Sequence, residues 1–357
     1  MFKFKLRYSW LLGDEAAPQI DAPLFALLYG ILTTGSLQKA AREVGLSYRY
    51  AWGLMQRWER LFGQPLALLQ RGRGSRLTAF GEKLVWAEQR VRARLGPQLE
   101  SLAGELEREF AGLIDAPGAR LAIHASHDLA LAGLRDLLAA RGGLQLDLQF
   151  KGSVAAVASL AQGKCELAGF HVAQNETVAS AAQLAYRPWL RPRAHKAVAL
   201  VTREQGLMIA KGNPHGVATL DDLIRPGMRF INRQSGSGTR LEFDQLLAQA
   251  GIDPHGIEGY QTEEFTHLAV AATIAAGMAD AGFGIKAAAA RYGLDFIALM
   301  KEKYFLLVRN ESLDKPAVQS LLAIIGGADF QALVAQLPGY GAAQAGQVLN
   351  LRDALAW

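Results

Sequence analysis

The stretch NRQSGSGTRL, residues 232–241, puts two guanidiniums, two serine hydroxyls and a threonine hydroxyl beside two glycines. It follows the apolar run MRFI and enters the apolar-periodic run LEFDQLL. Strand, polar glycine turn and helix start, in that order, are the parts of an anion site. There, free backbone N–H groups and the positive end of the helix dipole face the ligand. The binding candidates are Arg233, Ser235, Ser237, Gly238 and Thr239. The loop lacks the lysine of G-x-x-x-x-G-K-[ST] and does not keep the G-x-G-x-x-G order, which argues against a nucleotide.

The same chemistry recurs at three more turns where an apolar run gives way to a helical one: Ser126 with His127, Gly152 with Ser153, and Thr266 with His267. One serine or threonine at such a position is an ordinary helix cap. Four of them at the ends of strands would converge on one cleft and hold a compact oxyanion through neutral donors. His127, His171 and His267 lie beside these turns, but their spacing fits no metal motif. They are read as packed groups or donors, and Cys165 as a small buried residue. No nucleophile–base pair or metal triad is found, so no enzyme and no cofactor is expected.

The elements that must position these groups follow from pattern. From residue 119 the chain reads as strand–turn–helix units: RLAIHA into SHDLALAGLRDLL, LQLDLQF into KGSVAAVASLAQG, then CELAGFHV. AVALVTREQGLMIAKGNP reads as paired strands, IEGYQTEEF as a strand leading into THLAVAATIAAG, and ADAGFGI as the run that follows. Strands alternating with helices imply an α/β body with a parallel or mixed sheet and covered faces.

The first hundred residues are different. Residues 2–10 alternate apolar and polar, the period of a half-buried strand. APLFALLYGILT is an apolar helix. Ser36 caps a short helix that Gly45 ends, and Ser47 caps a second with Ala51, Leu54, Met55, Trp58 and Phe62 on one face. Its other face carries Arg49, Gln56, Arg57 and Arg60, a helix-turn-helix with a basic outer side. PLALLQRGRGSRLT then reads as a wing tipped by Arg71, Arg73 and Arg76, and Thr78 starts a long helix over about 79–110, a natural dimer seam. Ser47, Tyr48, Arg49, Tyr50 and Gln56 are expected at base edges, Arg57 and Arg60 at phosphates, and the wing arginines at phosphates or the minor groove. Trp52 and Trp58 are read as core.

Charge separates the same two regions. Residues 1–95 hold 15 Lys and Arg against 7 Asp and Glu, whereas the whole chain of 357 residues has a net charge of only +5. A polyanion partner is therefore expected for the first region alone. At this length two or three domains are expected. One cysteine excludes an internal disulfide and fits a reducing compartment. No export signal and no run of about eighteen apolar residues is present, so a cytoplasmic protein without a membrane span is expected.

GSLQKAAREVGLSYRYAWGLMQRWERLFGQPL followed by RGSRLTAFGEKLV resembles the winged helix-turn-helix of molybdate-responsive and LysR-type regulators, and SYRYAW is most similar to the molybdate-responsive branch. The later chain resembles the type II periplasmic-binding-protein fold through SHDLAL, GSVAAVASLAQGKCELAGFHV, NRQSGSGTR, GYQTEEFTHLAVAATIAAGMADAGFGI and LDFIAL. The spacing of Arg233 to Ser237-Gly238-Thr239 is similar to the loop of tungstate-binding periplasmic proteins. That resemblance implies charge from Arg233 and hydroxyl or backbone donors from Ser237, Gly238 and Thr239. Ser126 and Ser153 match positions where molybdate-binding relatives use serines. GSVAAV departs from the expected pattern after the serine, and FHVAQNE departs from a His-Leu-Asp run.

Together these imply a winged helix-turn-helix domain over 1–85, a linker and dimerisation helix over 86–118, and a two-lobed effector domain over 119–357. The expected function is one-component regulation. A homodimer, with tetramers left open, binds a pseudo-palindromic double-stranded DNA operator and senses molybdate or tungstate. The alternatives are a sensor of a molybdenum-cofactor species or other organic ligand, an enzyme of molybdopterin or tetrapyrrole metabolism with a DNA-binding appendage, and an architectural DNA binder blind to anions.

Overall fold

The computed structural model describes residues 4–13, 18–70, 74–111, 119–174 and 181–355. Its contacts divide the chain into two compact units, one over Arg7–Arg92 and the other over Ala93–Trp357 with the residues that precede Arg7.

The first unit is built from α1 (Ala22–Thr34), α2 (Leu37–Val44), α3 (Tyr48–Phe62), β1 (Ala67–Gln70), β2 (Gly74–Leu77) and the start of α4 (Ala79–Ala111). The caps fall where the sequence puts them. Ser36 Oγ accepts from Lys39 N at 3.3 Å and Ser47 Oγ from Tyr50 N at 3.2 Å. Gly45 ends α2 at φ 75°, the left-handed conformation that a residue with a Cβ adopts only under strain. Leu24, Leu27 and Leu28 of α1, Ala40 of α2, and Ala51 and Trp58 of α3 are fully buried together. Each large apolar side chain buried this way contributes roughly 1.5–3 kcal/mol. β1 and β2 pair antiparallel from Ala67↔Leu77 to Gln70↔Gly74, the body of the expected wing.

Described residues 4–10 do alternate half-buried and exposed, but they join no sheet. Tyr8 Oη and Trp10 Nε1 instead donate to Glu88 of α4 at 2.7 and 2.6 Å. The period was sound, but it records a helix surface rather than a strand ladder.

The second unit contains the rest of α4, then β3 (Ala119–Ala125), α5 (Leu129–Arg141), β4 (Leu144–Phe150), α6 (Ser153–Ala161), β5 (Leu167–Ala173), α7 (Ala181–Tyr186) and β6 (His195–Ile209). There follow β7 (Phe230–Arg233), α8 (Gly238–Ala250), β8 (Glu263–Glu264), α9 (His267–Ala275), β9 (Ala281–Ile285), α10 (Lys286–Arg291) and β10 (Asp295–Arg309). The chain closes with α11 (Pro316–Ile325), α12 (Ala328–Ala335), β11 (Tyr340–Gly341), β12 (Val348–Asn350) and α13 (Leu351–Ala354). The strand order is β4-β3-β5-β10-β6-β9-β7-β8, with β11 and β12 also on β6.

Two lobes share this sheet. In the first, β3 pairs parallel with β4 and β5, and β5 pairs with residues 302–308 of β10. In the second, β7 pairs parallel with β8 and β9, and β9 pairs with residues 205–209 of β6. β6 and β10, each 15 residues long and antiparallel to one another, run through both lobes. Their ladder slips at Ala298/Met300 and again at Tyr304/Phe305.

Two expectations are corrected. AVALVTREQGLMI is one strand, not a pair: Gly206 sits inside β6 because a Cβ there would meet Ile297 O at 1.8 Å. IEGYQTEEF contributes only the two-residue β8; before it the chain turns, with Thr262 N bonded to Gly259 O at 2.8 Å, while Glu258 O and Thr262 O accept from Phe230 N and Asn232 N of β7 at 2.8 and 2.9 Å. The DAPGAR linker lies largely outside the described residues, and its last two residues already belong to β3. No single helix among the described residues is long and apolar enough to cross a membrane.

Candidate functional site

Four helices of the two lobes point their N-termini toward one cleft of about 910 Å³. α6 starts after Gly152. α8 is capped by Ser237, which accepts from Arg240 N at 3.2 Å, and α9 by Thr266, which accepts from Ala269 N at 2.9 Å. The fourth, α5, is capped not at Ser126 but at Asp128, whose Oδ1 accepts from Leu131 N at 3.0 Å. Seven of the sequence candidates line the cleft: Ser126, His127, Gly152, Arg233, Ser235, Ser237 and Thr266. Ser153, Gly238, Thr239 and His267 are buried behind it. The lobes approach closely here, since a Cβ on Gly152 would lie 3.5 Å from Gly236 O.

Arg233 is 2 % exposed. Its Nη2 donates to Phe265 O at 3.0 Å and its Nε to Gln234 Oε1 at 3.2 Å. Its Nη1 is buried without a hydrogen-bond partner among the described residues. Among the described residues no carboxylate forms an ion pair with it. Burial, and then the charge of Arg203, pull its pKa down to about 9 against the opposing Glu302. A buried cation left unpaired is costly, and an anion in the cleft would remove that cost.

Two imidazoles, those of His127 and His267, are held uncharged at neutral pH. Burial first, then the cations Arg233, Arg135 and Arg291, hold His127 at about 4 despite Asp128. His267 is driven well below the ordinary histidine value by burial, Arg233 and Arg203. Its Nε2 lies 3.5 Å from Thr239 Oγ1. Thr266 has spent its own hydroxyl proton on Ala93 O at 3.2 Å, so it is a cap rather than a free donor. Ser153 Oγ donates to Ser126 Oγ at 3.4 Å. Gly238 is fixed by a close approach: a Cβ would stand 2.6 Å from His171 Cε1 and 2.8 Å from the Tyr186 hydroxyl.

Beneath the cleft lies a cluster the sequence did not disclose. Arg203 of β6, 1 % exposed, donates to Asp128 Oδ2 at 2.7 Å and pairs with Glu302 of β10. Glu302 also takes Gln205 Nε2, and His171 Nδ1 stands 2.6 Å from it. Although burial raises the Glu302 pKa, Arg203 and His171 outweigh it and hold the carboxyl at about 2. Tyr340 Oη donates to Asp128 at 2.7 Å. Arg203 is thus neutralised by two carboxylates, and Arg233 keeps the unspent charge. Lys151 and Arg94, also missed, are further cations on the cleft wall.

In the first unit, Ser47, Tyr48, Arg49, Tyr50, Gln56, Arg57 and Arg60 are all exposed along α3, and Arg76 is exposed on β2. Arg71 and Arg73 lie outside the described residues. Arg57 is partly engaged, 3.4 Å from Asp21 Oδ2. Trp58 is buried as expected, but Trp52 is 40 % exposed and belongs to the basic face. It sits one residue on from the buried Ala51, where the helix has already turned about 100° outward.

Comparison with known proteins matches this division. A pattern described as a lysR-family bacterial regulatory helix-turn-helix protein covers residues 24–82, and one described as a PBP superfamily domain covers residues 134–326. The uncharacterized protein YvgK of Bacillus subtilis is 33 % identical over 203 residues, 56 % of this chain and 64 % of that one. An uncharacterized Clostridium pasteurianum protein from a ferredoxin gene region is 37 % identical over 108 residues, 30 % of this chain and 96 % of that one. The molybdenum-pterin-binding protein MopB of Rhodobacter capsulatus is 34 % identical over 105 residues, 28 % of this chain and 39 % of that one. This chain therefore spans less than two thirds of YvgK and of MopB. A solved structure of a Corynebacterium glutamicum OxyR mutant aligns with a TM-score of 0.45 at 15 % identity, over 88 % of this chain and 92 % of that one. The chain belongs to the PBP superfamily through its two-lobed domain, and it carries that domain behind a regulatory helix-turn-helix of the lysR family.

Proposed function

We propose that this chain is a one-component transcriptional regulator whose first unit binds double-stranded DNA and whose cleft binds a small oxyanion, molybdate or tungstate. One observation carries the effector reading: Arg233 lines a cleft that gathers four helix N-termini, and among the described residues its buried side chain has no carboxylate and its Nη1 no hydrogen-bond partner. The molybdenum-pterin-binding relative supports the choice among oxyanions by its name. The exposed basic face of α3 supports the DNA reading, with a dimer placing two such helices on half-sites about one helical turn apart. The anion acts by differential affinity for two lobe arrangements. The reading assigns no reaction.

A second reading follows from cleft size. About 910 Å³ lies at the upper end of the roughly 300–1,000 Å³ that holds drug-sized ligands. Phe150, Trp189 and Phe265 line it beside the polar groups. A molybdenum-cofactor species, an oxyanion carried on a flat organic body, fits that description. Calorimetry of the full chain with molybdate, tungstate and sulfate decides. Micromolar or tighter binding of the first two with sulfate silent supports the oxyanion. Silence from all three refutes it and favours the organic anion.

A further inference from the structure

Six of the side chains lining the cleft come from neither lobe. Arg94, Pro97, Gln98, Ser101, Leu102 and Glu105 belong to α4. Their spacing of three and four residues places them on one face of that helix. The same segment is bonded to both lobes. On the second lobe, Arg94 Nε lies 2.8 Å from both oxygens of Glu264, a carboxylate 1 % exposed, and Ala93 O accepts from Thr266 Oγ1. On the first lobe, Phe150 N donates to Ser101 Oγ at 3.1 Å, Arg108 pairs with Asp147, and Arg135 Nη1 lies 2.6 Å from Glu100 Oε2.

We propose that residues 94–108 of α4 form a third wall of the ligand site and a strap between the lobes, so that ligand and helix hold the same lobe separation. This rests on reading the cleft as a ligand site. The anchors stand on opposite lobes, which are close enough here for Gly152 to face Gly236 O. Parting the lobes must break one set of anchors, and so must displace a ligand held from both sides. Two events that favour one separation favour each other, and the coupling is reciprocal. α4 begins at Ala79, within the first unit, so the wall of the site is continuous in sequence with that unit.

The test is hydrogen exchange on the full chain with tungstate as probe, beside calorimetry of Arg94→Gln and Ser101→Ala. The second variant cuts a neutral anchor and guards against misfolding of the first, which leaves Glu264 buried without its cation. Both should weaken tungstate binding, by a factor within the roughly 5- to 150-fold range of linked sites, and tungstate should slow exchange over 94–108. Unchanged affinity in both variants, or tungstate binding that leaves that exchange untouched, overturns the proposal. If tungstate does not bind at all, the oxyanion reading fails and the strap is judged without ligand. Arg94→Gln must then speed exchange at 147–153 on the far lobe as well as at 263–267. A rise confined to 263–267 overturns the strap.

Discussion

Arg203 Nη1 lies 2.7 Å from Asp128 Oδ2, and both side chains are wholly buried. That contact joins a strand common to the two lobes to the cap of a helix aimed at the cleft, since Asp128 also caps α5. Removing one member of such a pair strands the other. Arg203→Ala is expected to cost about 3–5 kcal/mol of stability, against near-neutral cost for a surface arginine. Urea unfolding measures it, and a midpoint shift equivalent to under about 1 kcal/mol would contradict the buried network.

Arg233 should behave in the opposite way. Arg233→Met removes a buried charge that has no carboxylate, so the ligand-free melting temperature should hold or rise. Anion affinity should fall by about 2–5 kcal/mol, the usual cost of truncating one side of a buried charge pair. A variant that melts lower and binds as before would sink the assignment.

Gly238→Ala drives a methyl into His171 and the Tyr186 hydroxyl. Overpacking of this kind costs roughly 1–3 kcal/mol. Anion binding should weaken with it, because the loop that carries Arg233 and Ser237 must shift. Thermal melts and calorimetry check both. Full affinity in the variant would show that the loop yields without moving the site.

Acid should destabilise the fold in two windows. Free imidazoles titrate near about 6.5, while His127 sits at about 4 and His267 is also held low. Between about pH 6.5 and 4 the unfolded chain takes up protons that the native chain refuses, so stability falls as pH falls. Glu302 adds a second loss, from about 4.3 in the unfolded chain down toward its native value of about 2. Urea midpoints at stepped pH should show both windows. His127→Gln should flatten the first, and a slope identical to the wild type would be evidence against a neutral buried His127.

On DNA, Arg49→Ala should cost about 1–3 kcal/mol on a specific site and little on random sequence. Arg76→Ala should weaken both alike and lower the salt slope by about one. Fluorescence anisotropy across a salt series separates the two. Equal behaviour of the two variants would mean that α3 does not read bases.

The local part of this protein was legible because its signals are local. Ser36, Gly45 and Ser47 announce two helices within a dozen residues, and the loop from Arg233 to Thr239 announces its chemistry. What stayed hidden is set by distance along the chain. Arg203 and Glu302 stand opposite each other in the β6–β10 ladder, yet in the sequence each sits in an ordinary polar stretch, TREQ and KEK, about a hundred residues apart. AVALVTREQGLMI reads as two strands although it is one, because a glycine demanded by a neighbouring carbonyl, Gly206, has the same letter as one demanded by a bend. Trp52, read as core, lies outside because its helical angle, one residue on from buried Ala51, turns it away from that face.

The course of β10 also bears on how the protein is made. The first lobe takes its middle strand from residues 302–308, which leave the ribosome long after β3, β4 and β5. Until then that lobe is an open-edged sheet, the kind of surface that invites wrong pairing. The Arg7–Arg92 unit needs nothing so late. During each round of translation, a nascent chain therefore carries a finished helix-turn-helix well before it carries a finished two-lobed domain.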